Sequence, residues 1–217
     1  MNLINNFKSK PIILVLCSAG GAVFQEIIKG FNNYVDFYLI VDRDCPALNV
    51  ANAFHVPYKC IIEKDNKILS NCIMQYAKSI RASALLCFFG RILTEKLINF
   101  VPCYNVHPSI LPKYPGLNAE KKAYENQDPE IGATLHKIDV GLDTGQKLFE
   151  YKMNIEGYKT FEKYKRLSYI CKTKVSYCFL EYGLLYGFSN INITEYQCEL
   201  KLDQYKERFD EFIKQLI

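Results

Sequence analysis

The stretch "PIILVLCSAGGAVFQEIIKG", residues 11 to 30, decides the fold. Its first seven residues are apolar and bounded by Lys10 and Ser18, as a strand buried on both faces requires. Gly20 and Gly21 then allow a sharp turn. "AVFQEIIKG" sets apolar residues at helical spacing, and Gly30 predicts a stop for that helix. Strand, tight turn and helix form the opening unit of a parallel α/β sheet.

Working outward, "VDFYLIV" (35–41) and "SALLCFF" (83–89) read as further buried strands. "NKILSNCIMQYAKSI" (66–80) reads as a helix, and a shorter helix at 94–100 leads into the strand "CYNVH" (103–107). After residue 117 the pattern changes. "AEKKAYEN" predicts a short helix; "GATLHKI" (132–138) and "QKLFEYKM" (146–153) predict two strands joined by the turn-rich "DVGLDTG". A long helix is expected from about 159 to 185, then a strand in "INITEYQCEL" and a charged terminal helix. The expected fold is α/β: a Rossmann-like, mostly parallel sheet flanked by helices, with an antiparallel C-terminal extension. The expected domains are a catalytic domain over 1–185 and an extension of strand and helix over 186–217.

Composition narrows the class. Of 217 residues, 49% are hydrophobic, enough for a sizeable core. The net charge is +4 with no run of five or six like charges, so no nucleic-acid partner is expected. Nine cysteines show no C-x-x-C and no zinc spacing. Several lie in apolar runs, where a thiol acts as a small hydrophobe, so buried free thiols in a reducing compartment are expected. No apolar run reaches the ~18 residues of a membrane span, and "MNLINNFKSK" lacks a signal-peptide core. A cytoplasmic protein without membrane partners is expected; oligomeric state is not legible.

Open α/β sheets place sites at the carboxyl ends of their strands. Three segments arrive there: "SAGG" after the first strand, "FGRIL" after 83–89, and "NVHPS" after 103–107. Asn105 and His107, two apart on a strand, point to one face. An amide N–H suits a developing oxyanion and an imidazole suits proton transfer. Pro108, Pro112 and Pro115 bar a helix beyond them and fix the pocket wall. The plainer alternative is a strand-end histidine satisfied by backbone beside an Asx turn. Asp143, between Gly141 and Gly145, is placed to orient an imidazole and hold it protonated; the alternative is a turn aspartate capping its own loop. The Gly20–Gly21 turn suits a phosphate or is merely a tight connection. His55 and His136 lie in short β-like runs, His55 expected to be structural and His136 placed to line the site.

The segment "NVHPSILPKYPGLNAEKKAYENQDPEIGATLHKIDVGLDTG" resembles the folate-dependent formyltransferase family. The Asn-x-His-Pro-Ser-Ile-Leu-Pro run, the following glycine, the Gly-x-Thr-x-His strand and the Asp-x-Gly loop occur in family order. Weaker similarity runs from about residue 10 to 185, including "GRIL" and "VDRDCPALNVANAFHVP". "AYENQDPEIGATLH" resembles the branch acting on glycinamide ribonucleotide rather than the methionyl-tRNA branch. The resemblance implies formyl transfer from 10-formyltetrahydrofolate to a primary amine, with no metal. It implies that Asn105 stabilises the tetrahedral oxyanion, that His107 manages the proton at the departing nitrogen, and that Asp143 orients His107. Arg91, Ile92 and Leu93, with Val140, Gly141 and Leu142, would receive the pterin. Gly20, Gly21, Pro108, Thr134 and His136 would meet the acceptor or the proton relay.

One half departs from the family pattern. Ala22 and Val23 stand where a serine and an asparagine grip the acceptor's phosphate, and no acidic acceptor-binding residue is evident in "YICKTKVSY". Three readings stay open: glycinamide ribonucleotide held by the Gly20–Gly21 amides plus a lysine; an amino-sugar nucleotide; or a folate-binding protein without catalysis.

Overall fold

A computed structural model describes residues 9–155, 160–189, 191 and 198–216. Its sheet has seven strands, β1 (Ile12–Cys17), β2 (Asp36–Val41), β3 (Tyr58–Cys60), β4 (Ala84–Phe88), β5 (Cys103–His107), β6 (Glu130–Lys137) and β7 (Lys147–Asn154), in the order β3-β2-β1-β4-β5-β6-β7. β1 pairs in parallel with β2 and β4, so the chain order reverses between β1 and β4 and opens a crevice at their carboxyl ends. β6 and β7 run antiparallel to their neighbours, so the antiparallel part lies before residue 155.

The period-two alternation of β1 feeds two cores. Ile13, Val15 and Cys17 face one helix layer; Leu14 and Leu16 face the other. The first layer holds α1 (Ala22–Phe31), α2 (Ala47–Ala53), α5 (Ala119–Glu125), α6 (Phe161–Tyr186) and α7 (Asp203–Leu216); the second holds α3 (Asn66–Ile80) and α4 (Glu95–Phe100). Fully burying each such aliphatic side chain contributes roughly 1.5–3 kcal/mol. α3 begins where the Asp65 carboxylate accepts from the N–H groups of Lys67 and Ile68, and ends at Arg81 in the left-handed region.

Several expectations are corrected. α2 and β3 are additional elements, too short for periodicity to reveal; Pro46 precedes α2 and β3 is an exposed three-residue edge. His55 follows the end of α2 with φ 54° rather than lying in a β-like run. Gly30 sits inside the last turn of α1, not at its stop. A Cβ there would lie 2.8 Å from Tyr177 Oη, so glycine is present to let α6 approach. The expected strand at 191–200 falls mostly on residues 192–197, outside those described; Ile191 and residues 198–200 are not in a strand. Cys178 and Cys198 form a disulfide with Cα atoms 5.9 Å apart, against the expectation of free thiols throughout, because the chain after α6 folds back along it. The other seven cysteines are free. Among the described residues no helix is long and apolar enough to cross a membrane.

Candidate active site

β5 ends in the crevice and carries Asn105 and His107 on one face, beside β4 and β6. The connection between β6 and β7 turns back over the same place and brings Asp143, in the left-handed region at φ 54°, to both. His107 Nδ1 lies 3.2 Å from Asp143 Oδ2, and His107 Nε2 lies 2.8 Å from the Tyr114 carbonyl. Asn105 Nδ2 donates to Asp143 Oδ1 at 3.3 Å and faces His136 Nε2 at 3.2 Å. His136 Nε2 is itself 3.3 Å from Asp143 Oδ1, and the Gly116 N–H donates to Asp143 Oδ2 at 2.7 Å. Four residues, Asn105, His107, Gly116 and His136, therefore converge on a single carboxylate.

The electrostatics follow from burial. Desolvation pushes the Asp143 carboxyl up, but the His136 and Gly116 hydrogen bonds and the charge of His107 outweigh it and hold the group at about 2. For His107, burial lowers the pKa; the Asp143 carboxylate and the Tyr114 carbonyl oppose it without overcoming it. The ring is thus neutral at pH 7 rather than held protonated, contrary to the expectation for Asp143. Both ring nitrogens face acceptors, so the neutral ring satisfies one and turns a lone pair to the other. Gaining a proton relieves that clash. Both ring nitrogens of His136 also face acceptors, Nδ1 at 2.8 Å from the Lys137 carbonyl and Nε2 at 3.3 Å from Asp143 Oδ1.

A cleft of about 680 Å³ opens here. One wall is apolar (Phe88, Phe89, Ile92, Leu93, Leu117 and Leu142) and the opposite end is made by Gly20–Phe24, Tyr169 and Lys172. Asn105, His107, Pro108, His136, Gly141, Leu142, Asp143, Gly20 and Gly21 line it, as do Arg91, Ile92 and Leu93. Two expected residues do not. Thr134 is fully buried, its hydroxyl donating to the Ser109 carbonyl and accepting from the Leu111 N–H. Val140 is 75% exposed, outside the lining. The Arg91 guanidinium donates to Asn66 Oδ1 and to the carbonyls of Glu63 and Lys64, tying the loop before α3 to the segment that lines the cleft. Burial pushes the Cys17 thiol, at the cleft floor, up to about 11, so it is no nucleophile.

Sequence reasoning missed the Tyr114 carbonyl, the Gly116 N–H, Tyr169 and Lys172. The first two had a faint signal in "KYPGLN", where Tyr114 and Gly116 both take positive φ and aim backbone polar groups at the site. Lys172 lies on a helix of mixed polarity and gave none. Among the described residues no three His, Cys, Asp or Glu side chains group to hold a metal ion.

The profile of the formyl transferase family matches residues 12–169. The chain belongs to that family. Solved structures similar to it include phosphoribosylglycinamide formyltransferase from Streptococcus pneumoniae (TM-score 0.70, 20% identity, 77% of this chain and 95% of that one). Another is glycinamide ribonucleotide transformylase 1 from Symbiobacterium toebii (TM-score 0.74, 19% identity, 88% and 94%). At these identities the likeness is one of fold. Among curated relatives, the methionyl-tRNA formyltransferase of Thermotoga maritima is 27% identical over 154 residues, 66% of this chain and 49% of that protein. The trifunctional purine biosynthetic protein adenosine-3 of Drosophila melanogaster is 30% identical over 146 residues, 61% of this chain and 11% of that protein. The chain thus spans about half the length of the methionyl-tRNA formyltransferase, and relatives from both branches resemble it.

Proposed function

We propose that this family member transfers a formyl group from 10-formyltetrahydrofolate to the primary amine of a small acceptor, glycinamide ribonucleotide being the preferred candidate. The observation that carries the reading is the convergence of Asn105, His107 and His136 on Asp143 in one cleft that is also lined by apolar side chains and by the Gly20–Gly21 turn.

The donor fits the residues present. Ile92, Leu117 and Leu142, at 66%, 68% and 60% exposure, leave large apolar side chains in solvent at the cleft mouth, which a flat ring system would cover. Ile92, Leu93, Gly141 and Leu142 would hold the pterin. Bound there, the folate supplies a formyl group already activated on nitrogen. Asn105 has two amide hydrogens, and directing the one now facing His136 toward the formyl oxygen stabilises charge developing there. His107, neutral and short of one proton for its two acceptors, takes up a proton and passes it to a departing nitrogen. Asp143 keeps the imidazole in place and stabilises its charged form.

A second reading, transfer to an amino-sugar nucleotide, is favoured by the turn at the polar end. Ala22 has no hydrogen-bonding side chain, and Val23, 8% exposed, packs into the core. The test follows formyl transfer by absorbance with glycinamide ribonucleotide and with amino-sugar nucleotides, in wild type and His107→Ala. Turnover of glycinamide ribonucleotide lost in the variant supports the first reading; turnover of a sugar nucleotide alone supports the second. Folate binding with no turnover of any acceptor would leave a folate-binding protein and overturn both.

A further inference from the structure

One residue behind the cleft joins the site to a part of the chain that the proposed chemistry does not use. Tyr114 does not line the cleft, yet its carbonyl lies 2.8 Å from His107 Nε2. Its hydroxyl, at the far end of the side chain, donates to Asp128 Oδ1 at 3.1 Å and accepts from Asn126 Nδ2 at 3.1 Å. Asn126 and Asp128 belong to the connection from α5 to β6, so one residue bridges that connection and the tip of β5. The Asp128 side chain is only 17% exposed, and its backbone N–H is itself tied to the Ala123 carbonyl of α5 at 3.2 Å.

The bridge accounts for a strained backbone. Tyr114 takes φ 54°, in the left-handed region that a bulky residue rarely enters. There its carbonyl meets the imidazole, and two residues later the Gly116 N–H reaches Asp143. The same loop is fastened upstream: Thr134 Oγ1 donates to the Ser109 carbonyl and accepts from the Leu111 N–H, and Ser109 Oγ donates to the Lys113 carbonyl at 2.6 Å. Those bonds hold residues 109–113, and the Tyr114 hydroxyl carries the anchorage on to the residue that faces His107. A hydroxyl that both donates and accepts fixes the tip of its ring, and a fixed ring leaves its own carbonyl little freedom.

We infer that Tyr114 is a positioning residue for the proton-handling step: its hydroxyl, gripped by Asp128 and Asn126 outside the cleft, sets where its carbonyl meets His107. The inference goes beyond the formyl-transfer reading, and its kinetic consequences alone rest on that reading. The other charged or titratable groups that act on His107 are Asp143 on the β6–β7 connection, His136 on β6 and Lys122 on α5. The Tyr114 hydroxyl bonds to none of them, so its removal tests the carbonyl contact by itself.

The experiment follows the His107 ring by proton NMR through a pH titration in wild type, Tyr114→Phe, Asp128→Ala, Asp128→Asn and the double variant of Tyr114→Phe with Asp128→Ala; His107→Gln assigns the resonance. The Tyr114 carbonyl favours the protonated ring, so Tyr114→Phe and Asp128→Ala should each move the His107 titration to lower pH. Asp128→Asn removes the charge but keeps an oxygen that accepts from the hydroxyl, and should stay near wild type. The double variant should go no further than either single change, because both break one contact. In formyl-transfer assays kcat of Tyr114→Phe should fall about 10- to 100-fold, the scale of a misplaced catalytic group, with both KM values unchanged. Circular dichroism checks folding; if Tyr114→Phe does not fold, Asp128→Ala, which leaves the ring in place, reads the same quantity. A His107 titration that coincides with wild type in the single variants, an equal shift in Asp128→Asn and Asp128→Ala, shifts that add in the double variant, or a raised KM with kcat intact overturns the inference. Because the titration needs no turnover, a wild type that formylates nothing, yet whose His107 shifts with Tyr114→Phe, would strike the proposed activity and leave this inference standing.

Discussion

Replacing Asp143 by Asn removes one charge from the centre of the site and little else. Asn tolerates the left-handed φ of 54° that Asp143 adopts, so no backbone strain is added. Its amide oxygen still accepts from Gly116 N–H. What is lost is the preference for the ionised form: a carboxyl held at about 2 instead of 3.8, at ~1.4 kcal/mol per pKa unit, is worth about 2 kcal/mol. The sign is that of a depressed acid. The stability is fully present above the unfolded value near 4 and is lost as pH falls through about 2. Urea unfolding followed by circular dichroism should therefore show Asp143→Asn about 2 kcal/mol less stable at pH 7, with the gap about halved by pH 3. A gap that persists undiminished to pH 3, or is absent at pH 7, refutes the assigned electrostatics. Asp143 also raises the pKa of His107, so in this variant the acid limb of the activity profile should move to lower pH, with turnover reduced roughly 10²- to 10³-fold, the scale of one lost preorganised electrostatic contact.

Gly21→Ala should cost about 1–3 kcal/mol in the same unfolding assay, since its φ is 76° and a Cβ would sit 2.7 Å from Ala47 Cα; an unchanged midpoint would mean that the turn relaxes away from α2. Glu181, buried on α6, accepts from the backbone N–H groups of Lys201 and Leu202 just before α7. Glu181→Ala should cost about 1–3 kcal/mol and speed proteolysis of α7, whereas protease resistance equal to wild type would show that the aromatic contacts alone hold the helix. Asn105→Asp should abolish detectable turnover, because it brings a second carboxylate to Asp143 and removes the amide donor; activity within tenfold of wild type would refute the oxyanion role.

Much of this was legible in the primary sequence, for identifiable reasons. β1, β2 and β4 announced themselves because strands buried on both faces are largely apolar runs, and α3 because fifteen residues hold a clear period. α2 and β3 escaped because seven and three residues are too few to show one, and Gly30 misled because a glycine kept for helix contact looks like a helix stop. The Asn105–His107 pairing was visible because two residues on one strand face need only local geometry. Local spacing, by contrast, says nothing about burial, and burial reverses the expected protonation of His107. Backbone groups such as the Tyr114 carbonyl carry no residue-type signature. Lys172 and Glu120 stand 52 positions apart, and nothing short of the folded chain brings them together.

The cleft draws its two ends from different layers of the protein. The apolar wall and the carboxylate cluster hang from loops at the tips of β4, β5 and β6, fixed by the hydrogen-bond ladder of the sheet. The polar end hangs from α1, α5 and α6, whose positions depend on side-chain packing against one another and against α7. Packing is easily revised one residue at a time; a ladder is not. Substitutions that slide or re-dress the helices can therefore retune which amine enters while the reacting centre keeps its spacing. An engineer seeking new acceptors would do best to diversify the helical layer and leave the strand tips alone.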